Sequence, residues 1–204
     1  AATGMLLREA VPLSPARVFY ARKYSAGSRV NADDINPDVV AQHRMAHVSG
    51  VTPALSADAY DAARKLLAVG REKGLSTVFD LNYRAQLWDP KEATRAFVEL
   101  AGLADIVFGG SAEWKMSFDT DDLDRIPLPP ETTLVKTAGK DHVEARVSGE
   151  ILRAEAFTTS AVDVVGAGDG FTGGTLSAVL AGAPWDQALR QGAFCGARVV
   201  SGLG

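Results

Sequence analysis

Ala161-Val-Asp-Val-Val-Gly-Ala-Gly-Asp-Gly-Phe-Thr-Gly-Gly174 carries a β-branched run into three glycines and one acid, at the point where an apolar helix is expected to start. Backbone N–H groups at the open end of a helix have no intrahelical partner, and with the helix dipole they form a local receptor for anions. Gly166 and Gly168 let a ligand approach the main chain without a Cβ in the way. Asp169 sits awkwardly inside such a nest, because its carboxylate repels the phosphate that the amides attract. The combination makes sense if the carboxylate takes a proton from a hydroxyl while the amides hold charge developing on a transferred phosphoryl group. The competing reading is structural, since Asp and Gly are ordinary residues at a helix start. Gly168-Asp-Gly170-Phe-Thr-Gly173 also fits the dinucleotide pattern G-x-G-x-x-G. That pattern opens the first βαβ unit of its domain, however, whereas here only two helical stretches follow. A Walker A loop is excluded because no Gly-Lys-Ser/Thr triplet follows the glycines.

Working outward, two periodicities alternate. Ala59, Ala62, Ala63, Leu66 and Leu67 recur at helical spacing after Ser56 as N-cap and before Gly74 as C′. Ala93, Ala96, Phe97, Leu100 and Ala101 repeat the pattern between Asp89-Pro90 and Gly102. Short apolar runs at residues 45–49, 76–80, 104–108 and 133–137 read as strands between these helices. The alternation predicts an α/β fold with a mostly parallel sheet and helices on both faces. Ligands of such sheets bind beyond the carboxyl ends of the strands. Residues 143–147 and 151–157, joined by Ser-Gly-Glu, read as an antiparallel hairpin. Arg17–Lys23 alternates as a strand that puts Val18, Tyr20 and Arg22 on one side; an Arg there is also a common edge-strand device against aggregation.

The 204 residues are 47% hydrophobic and 23% charged, which predicts a soluble globular unit with a substantial core. The net charge of −4 argues against nucleic acid as a partner, and no apolar run approaches the roughly 18 residues of a membrane span. Cys195 is the only cysteine, which excludes an internal disulfide; it reads as a small buried helix residue, and a reducing cytoplasm is the economical location. His43, His47 and His142 lack metal-ligand spacing.

Asp163-Val-Val-Gly-Ala-Gly-Asp-Gly-Phe-Thr-Gly-Gly174 resembles the second signature, D-T-x-G-A-G-D-x-F, of the ribokinase-like (phosphofructokinase B) sugar kinases. The resemblance implies a three-layer α/β core with a small β lid, an anion hole at Gly166, Ala167 and Gly168, and Asp169 as catalytic base in contact with the substrate hydroxyl. Val164 departs from the family, standing where relatives carry a Thr whose hydroxyl lies near the phosphates. Asp80-Leu-Asn-Tyr-Arg-Ala-Gln-Leu-Trp88 resembles a D-x-N-x-R-x-x-L-W stretch of the 2-keto-3-deoxygluconate kinases and fructokinases of that family, which implies Asn82 and Arg84 near the substrate or phosphates. An Arg fork suits a sugar-acid carboxylate. The competing reading of this stretch is a capped loop with Trp88 plugging the core. Tyr20-Ala-Arg-Lys-Tyr-Ser-Ala-Gly-Ser28 is similar to the lid strand of 2-keto-3-deoxygluconate kinases, implying Tyr20 and Arg22 as substrate ligands and a homodimer through the lid. Glu113 matches the Glu of an Asn-x-x-Glu motif that organises magnesium, with Gly110 in place of the Asn; a dipole-favoured helix start is the alternative. Val135–Gly139 loosely resembles a V-K-x-G-x-x-G region beside the nucleotide, implying Lys136, Thr137 and Gly139 there, while Lys140 reads as a solvated turn residue. The implied cofactors are ATP and Mg2+, with room for a monovalent cation. Residues 1–30 are expected to be part of the lid and its return, and 31–204 the nucleotide- and substrate-binding core. Against the family, both ends look cut, and the last helix pattern runs toward Gly204. Three functions fit: a 2-keto-3-deoxygluconate kinase, a fructokinase or other sugar kinase, and a non-catalytic nucleotide- or sugar-binding remnant.

Overall fold

The computed structural model describes residues 1–9, 17–139 and 141–202; Lys140 lies outside them. The chain forms two compact units, Ala1–Ala104 and Asp105–Gly204.

In the first unit, β1 (Met5–Glu9) and β2 (Arg17–Ala21) make a two-stranded antiparallel sheet with Leu6 opposite Tyr20 and Leu7 opposite Phe19. Opposed residues share a face, so Met5, Leu7, Phe19 and Ala21 lie on one side and Leu6 and Tyr20 on the other. The predicted strand stops two residues early, because the chain turns at Lys23 and at Tyr24, whose φ is 61°. A short helix, α1 (Pro37–Val40), is started by the Asn36 side chain and a Pro at its first position. It leads to β3 (Met45–Ser49), α2 (Ala57–Glu72), β4 (Ser76–Asp80) and α3 (Pro90–Ala101). Ser56 Oγ accepts the Ala59 N–H at 3.0 Å, and Gly74 closes α2 with φ of 74°. Asp89 caps α3 by accepting the Lys91 N–H at 2.8 Å. β3 and β4 pair in parallel, with Met45 beside Ser76. The helical periodicity becomes burial: Ala59, Ala62, Ala63, Leu67, Ala93, Phe97 and Leu100 are all in the core. Phe97 is its hub, met edge-on by Phe79 at 5.7 Å and by Trp88 at 5.4 Å.

The second unit comprises β5 (Ile106–Gly110), α4 (Ser111–Phe118), β6 (Thr133–Thr137), β7 (His142–Val147), β8 (Glu150–Glu155), α5 (Ala167–Leu180) and α6 (Trp185–Val200). β5 and β6 are parallel, in register from Ile106–Thr133 to Gly110–Thr137. The strand expected at 104–108 thus lies two residues further on, where Gly109 and Gly110 keep pairing with Lys136 and Thr137. β7 and β8 form the expected hairpin, turned at Ser148-Gly149 with φ of 50° and 83°, the left-handed pair that a two-residue hairpin turn requires. Arg146 on β7 is 6% exposed and donates to the carbonyls of Leu123, Ile126, Leu128 and Pro129, which fixes the segment between α4 and β6.

α5 and α6 pack backbone to backbone. A Cβ on Gly192 would stand 2.0 Å from Thr175 Oγ1 and 2.8 Å from the Phe171 carbonyl, and one on Gly174 would meet Cys195 at 2.8 Å. Cys195 is half-buried rather than buried, since it rides at the margin of this contact. α6 stops at Val200 with Ser201 as C-cap, short of the run toward Gly204 that its pattern suggests. Among the described residues, no helix is long and apolar enough to cross a membrane. Gly192→Ala is expected to destabilise the protein by roughly 1–3 kcal/mol, the usual cost of overpacking. Urea unfolding measures this, and a wild-type midpoint would refute the close-packing account.

Candidate active site

The glycine-rich segment is held before the helix starts. Asp163 is 3% exposed, and its Oδ1 accepts the Val165 N–H at 2.9 Å. The N–H groups of Val162 and Asp163 donate to the Val200 carbonyl at 2.8 and 3.2 Å, tying the segment to the end of α6. Gly166 is the N-cap of α5 with φ of 80° and ψ of −1°, a left-handed conformation that strains residues bearing a Cβ. Ala167, Gly168 and Asp169 make the first turn, whose amides have no carbonyl four residues back to bond within the helix, although the Ala167 N–H donates to the Val164 carbonyl ahead of it at 3.4 Å. Gly168 has open space where a Cβ would be, and Asp169 is exposed rather than turned into the core. A carboxylate and the positive end of a helix dipole therefore share one accessible turn.

Beside this turn lies a cavity of about 540 Å³. Thr137 and Gly139 line it from the end of β6 and the turn after it, and Ala167 and Gly168 from α5. Phe157, Thr158 and Thr159 contribute from the stretch after β8, and Ala193, Gly196, Ala197 and Val200 from α6. Four of the residues singled out from sequence thus come together, with Gly166 and Asp169 at the same helix start. Val164, the departure from the family signature, lines the cavity and is 70% exposed, so an apolar side chain meets whatever enters.

Lys136 does not join them. Side chains alternate along a strand, and while Thr137 faces the cavity, Lys136 pairs with Glu144 directly opposite on β7. Its Nζ lies 2.6 Å from Glu144 Oε2 and donates to the Asp121 carbonyl at 2.9 Å. Glu144 also takes the Arg153 guanidinium from β8, and His142 Nε2 lies 3.1 Å from Glu144 Oε1. Burial alone would raise the Glu144 pKa, but the hydrogen bonds and charges of Lys136 and Arg153 outweigh it and hold the carboxyl at about 2, against the usual 4.5. The Lys136 side chain is therefore part of a cross-strand ion network.

Glu113 is the third residue of α4, and its Oε2 accepts the Gly110 N–H at 2.7 Å, the helix-start arrangement that was the alternative to a metal role. A Cβ on Gly110 would lie 3.5 Å from that oxygen and 3.8 Å from Thr137 Oγ1. Glu113 and Thr137 therefore flank the same strand ends. Among the described residues, no group of three or more His, Cys, Asp or Glu is placed to hold a metal ion. In the first unit, Tyr20 and Arg22 form a stacked pair, the guanidinium 4.6 Å from the ring centre. Asn82 follows β4 with φ of 38°, a left-handed conformation uncommon outside glycine, and Arg84 Nη1 donates to the Tyr83 carbonyl at 3.0 Å. Both are half-buried. Sequence reasoning missed Asp163 as the anchor of the loop and missed the α6 wall. The run Gly192-Ala193 and Gly196-Ala197, small residues on one helical face, is the signal that could have found the latter.

The sequence model of the pfkB family of carbohydrate kinases matches residues 16–204. A 2-dehydro-3-deoxygalactonokinase of Haloferax volcanii is 34% identical over 88% of this chain and 58% of its own length. A 2-dehydro-3-deoxygluconokinase of Bacillus subtilis is 32% identical over 99% of this chain and 64% of its own. The chain thus spans less than two thirds of either relative. The crystal structure of a PfkB protein from Polaromonas sp. JS666 superimposes with a TM-score of 0.84 at 32% identity, covering 99% of this chain and 68% of that one. The fold is accordingly the ribokinase-like α/β fold of those proteins.

The depressed Glu144 pKa carries a pH signature. Its contribution to stability is full above about pH 4.5 and is lost as pH falls through about 2. Between those values, Glu144→Gln is expected to reduce the dependence of unfolding free energy on pH by up to about 1.4 kcal/mol per pH unit. Denaturant unfolding at several pH values between about 2 and 6 checks this, and parallel curves for wild type and variant would contradict the network's assignment.

Proposed function

The chain belongs to the pfkB family of carbohydrate kinases, and on that premise we propose that its protein transfers the γ-phosphoryl group of ATP to the primary hydroxyl of a 2-keto-3-deoxy sugar acid. The observation that carries the reading is the exposed carboxylate of Asp169 in the first turn of α5, beside a left-handed glycine cap and a cavity of nucleotide size.

Asp169 accepts the hydroxyl proton as the oxygen bonds to phosphorus, the bond from that phosphorus to the β,γ-bridging oxygen breaks, and ADP leaves. The amides of Gly166, Ala167 and Gly168 hold charge on the phosphoryl oxygens during transfer. Thr137 and Gly139 border the nucleotide. Magnesium, when bound, neutralises phosphate charge; it keeps much of its water shell and needs only one or two protein carboxylates, so Glu113 fits as the residue that orients it through water. A monovalent cation remains an added requirement to test by ion replacement.

Arg22 and Arg84 favour an acidic substrate, because a guanidinium fork pairs with a carboxylate at two oxygens. Tyr20 and Asn82 complete the proposed acceptor contacts. The named relatives act on the gluco and galacto acids, which makes both epimers candidates, with 2-keto-3-deoxygluconate the first choice. Fructose or another neutral sugar is the second reading within the family, and a binding remnant without transfer is the third, favoured by Val164 and Gly110. We further propose residues 1–30 as lid and return, 31–204 as the core, a cytoplasmic location and a homodimer through the lid. The exposed apolar side chains of the β1–β2 sheet, Met5 at 58%, Leu7 at 59% and Phe19 at 52% on one face and Leu6 at 43% on the other, support the dimer, because a two-stranded sheet is marginal by itself.

Asp169→Asn is expected to lower kcat by about 10²-fold or more with unchanged thermal unfolding. Coupled ADP-release assays of the full-length protein with both keto acids, fructose and ribose decide the acceptor, and near-wild-type turnover by the variant would remove Asp169 as base.

A further inference from the structure

The cavity beside α5 has a wall that the reaction does not explain. Phe157, on the irregular stretch after β8, lines it, and its ring meets that of Phe194 on α6 edge to face at 5.6 Å. Both rings are 49% exposed, although a pair of this size is usually buried in a core. The other side chains lining the cavity are apolar except for three hydroxyls, those of Thr137, Thr158 and Thr159.

Resting on the kinase reading above, we propose that Phe157, braced by Phe194, is the stacking wall for the nucleobase, and that the base is read by shape and stacking, so purine triphosphates other than ATP serve as donors. The amide-rich end of the cavity, at Ala167 and Gly168, suits phosphates, which leaves the apolar remainder for the base. Along one ring edge guanine carries a carbonyl where adenine has its 6-amino group, an N–H where adenine has a bare ring nitrogen, and an added 2-amino group. A threonine hydroxyl rotates and either donates or accepts, so it serves both bases alike. Sites built on directed hydrogen bonds reject a mismatched group by roughly 10⁴–10⁵, whereas apolar pockets discriminate by only about 10–200-fold. Stacking is indifferent to base identity, because every base presents a π-face. Phe194 acts through Phe157 and is a positioning residue.

The test uses the full-length protein with the acceptor that gives turnover, comparing ATP, GTP, ITP, CTP and UTP. Direct nucleotide binding is followed by displacement of a fluorescent ATP analogue. GTP and ITP are expected within about 200-fold of ATP in kcat/KM. Phe157→Ala should raise KM for every purine donor by roughly 5–100-fold with little change in kcat. Phe157→Leu, which keeps the wall filled, separates lost stacking from collapse. Phe194→Ala should shift KM the same way, with Phe194→Tyr restoring it. A preference for ATP over GTP or ITP above about 200-fold, or unchanged nucleotide affinity in Phe157→Ala, overturns the proposal while leaving the kinase reading intact. Displacement by all purine triphosphates without transfer to any acceptor sinks the kinase reading and leaves the wall standing, and failure of every nucleotide to bind removes both.

Discussion

The contact between α5 and α6 governs the second unit, because glycines on both helices let each come close against the backbone and short side chains of the other. Gly192 leaves room for Thr175 Oγ1 and the Phe171 carbonyl, and Gly174 leaves room for Cys195. The same contact sets Gly170 against Val199, where a Cβ would come within 2.7 Å of a side-chain methyl, so the start of α5 sits directly on α6. α6 in turn supplies one wall of the cavity and, through the Val200 carbonyl, holds the segment that delivers Gly166. The position of the α5 first-turn amides and the shape of the cavity are therefore set by one interface. Interiors at native density transmit small displacements rather than absorbing them.

The cross-strand network gives β6 two faces with different duties. Glu144 occupies the middle of the hairpin and gathers Lys136 and Arg153, drawing positive charge away from the cavity that Thr137 borders. A lysine beside bound phosphates would add attraction, but at this register it would have to abandon a largely buried carboxylate, and breaking a buried pair on one side is costly. At the α5 end of the cavity the positive character comes from amides and the helix dipole instead, next to the exposed Asp169 carboxylate.

What was legible in the sequence was local. α2 and α3 follow from helical spacing with Ser56 and Asp89 as caps, and both caps make the bonds expected of them. The start of α5 follows from the only acid among three glycines. The Ser148-Gly149 turn follows from a glycine between two alternating runs, although Ser148 itself takes a φ of 50° that non-glycine residues seldom adopt. What depended on register or distant packing was not legible. Lys136 and Thr137 are neighbours in sequence, yet one residue of strand alternation sends them to opposite faces. The α6 wall resembles any small-residue helix until β8 and α5 are placed against it, and Arg146 gives no local sign that four carbonyls from residues 123–129 converge on it. Gly109 and Gly110 lengthen β5 against ordinary strand propensity, because pairing with β6 outweighs it.

Val164 shows how a departure from a family signature is to be weighed. A threonine there would present a hydroxyl to the cavity, whereas the valine presents methyl groups on a side chain 70% exposed. The methyl groups of an exposed β-branched residue offer an apolar ring a better contact than they offer a phosphate. Thr158 and Thr159 lie on the same stretch, between Phe157 and Gly166, and line the cavity as well. The hydroxyls absent at 164 are thus available five and six residues earlier. The polarity of the cavity is shifted along the chain rather than lost, and the turn that carries Asp169 keeps its geometry, because Gly166, the Asp163 carboxylate and the Val164 main-chain carbonyl hold it, none of which depends on the side chain at 164.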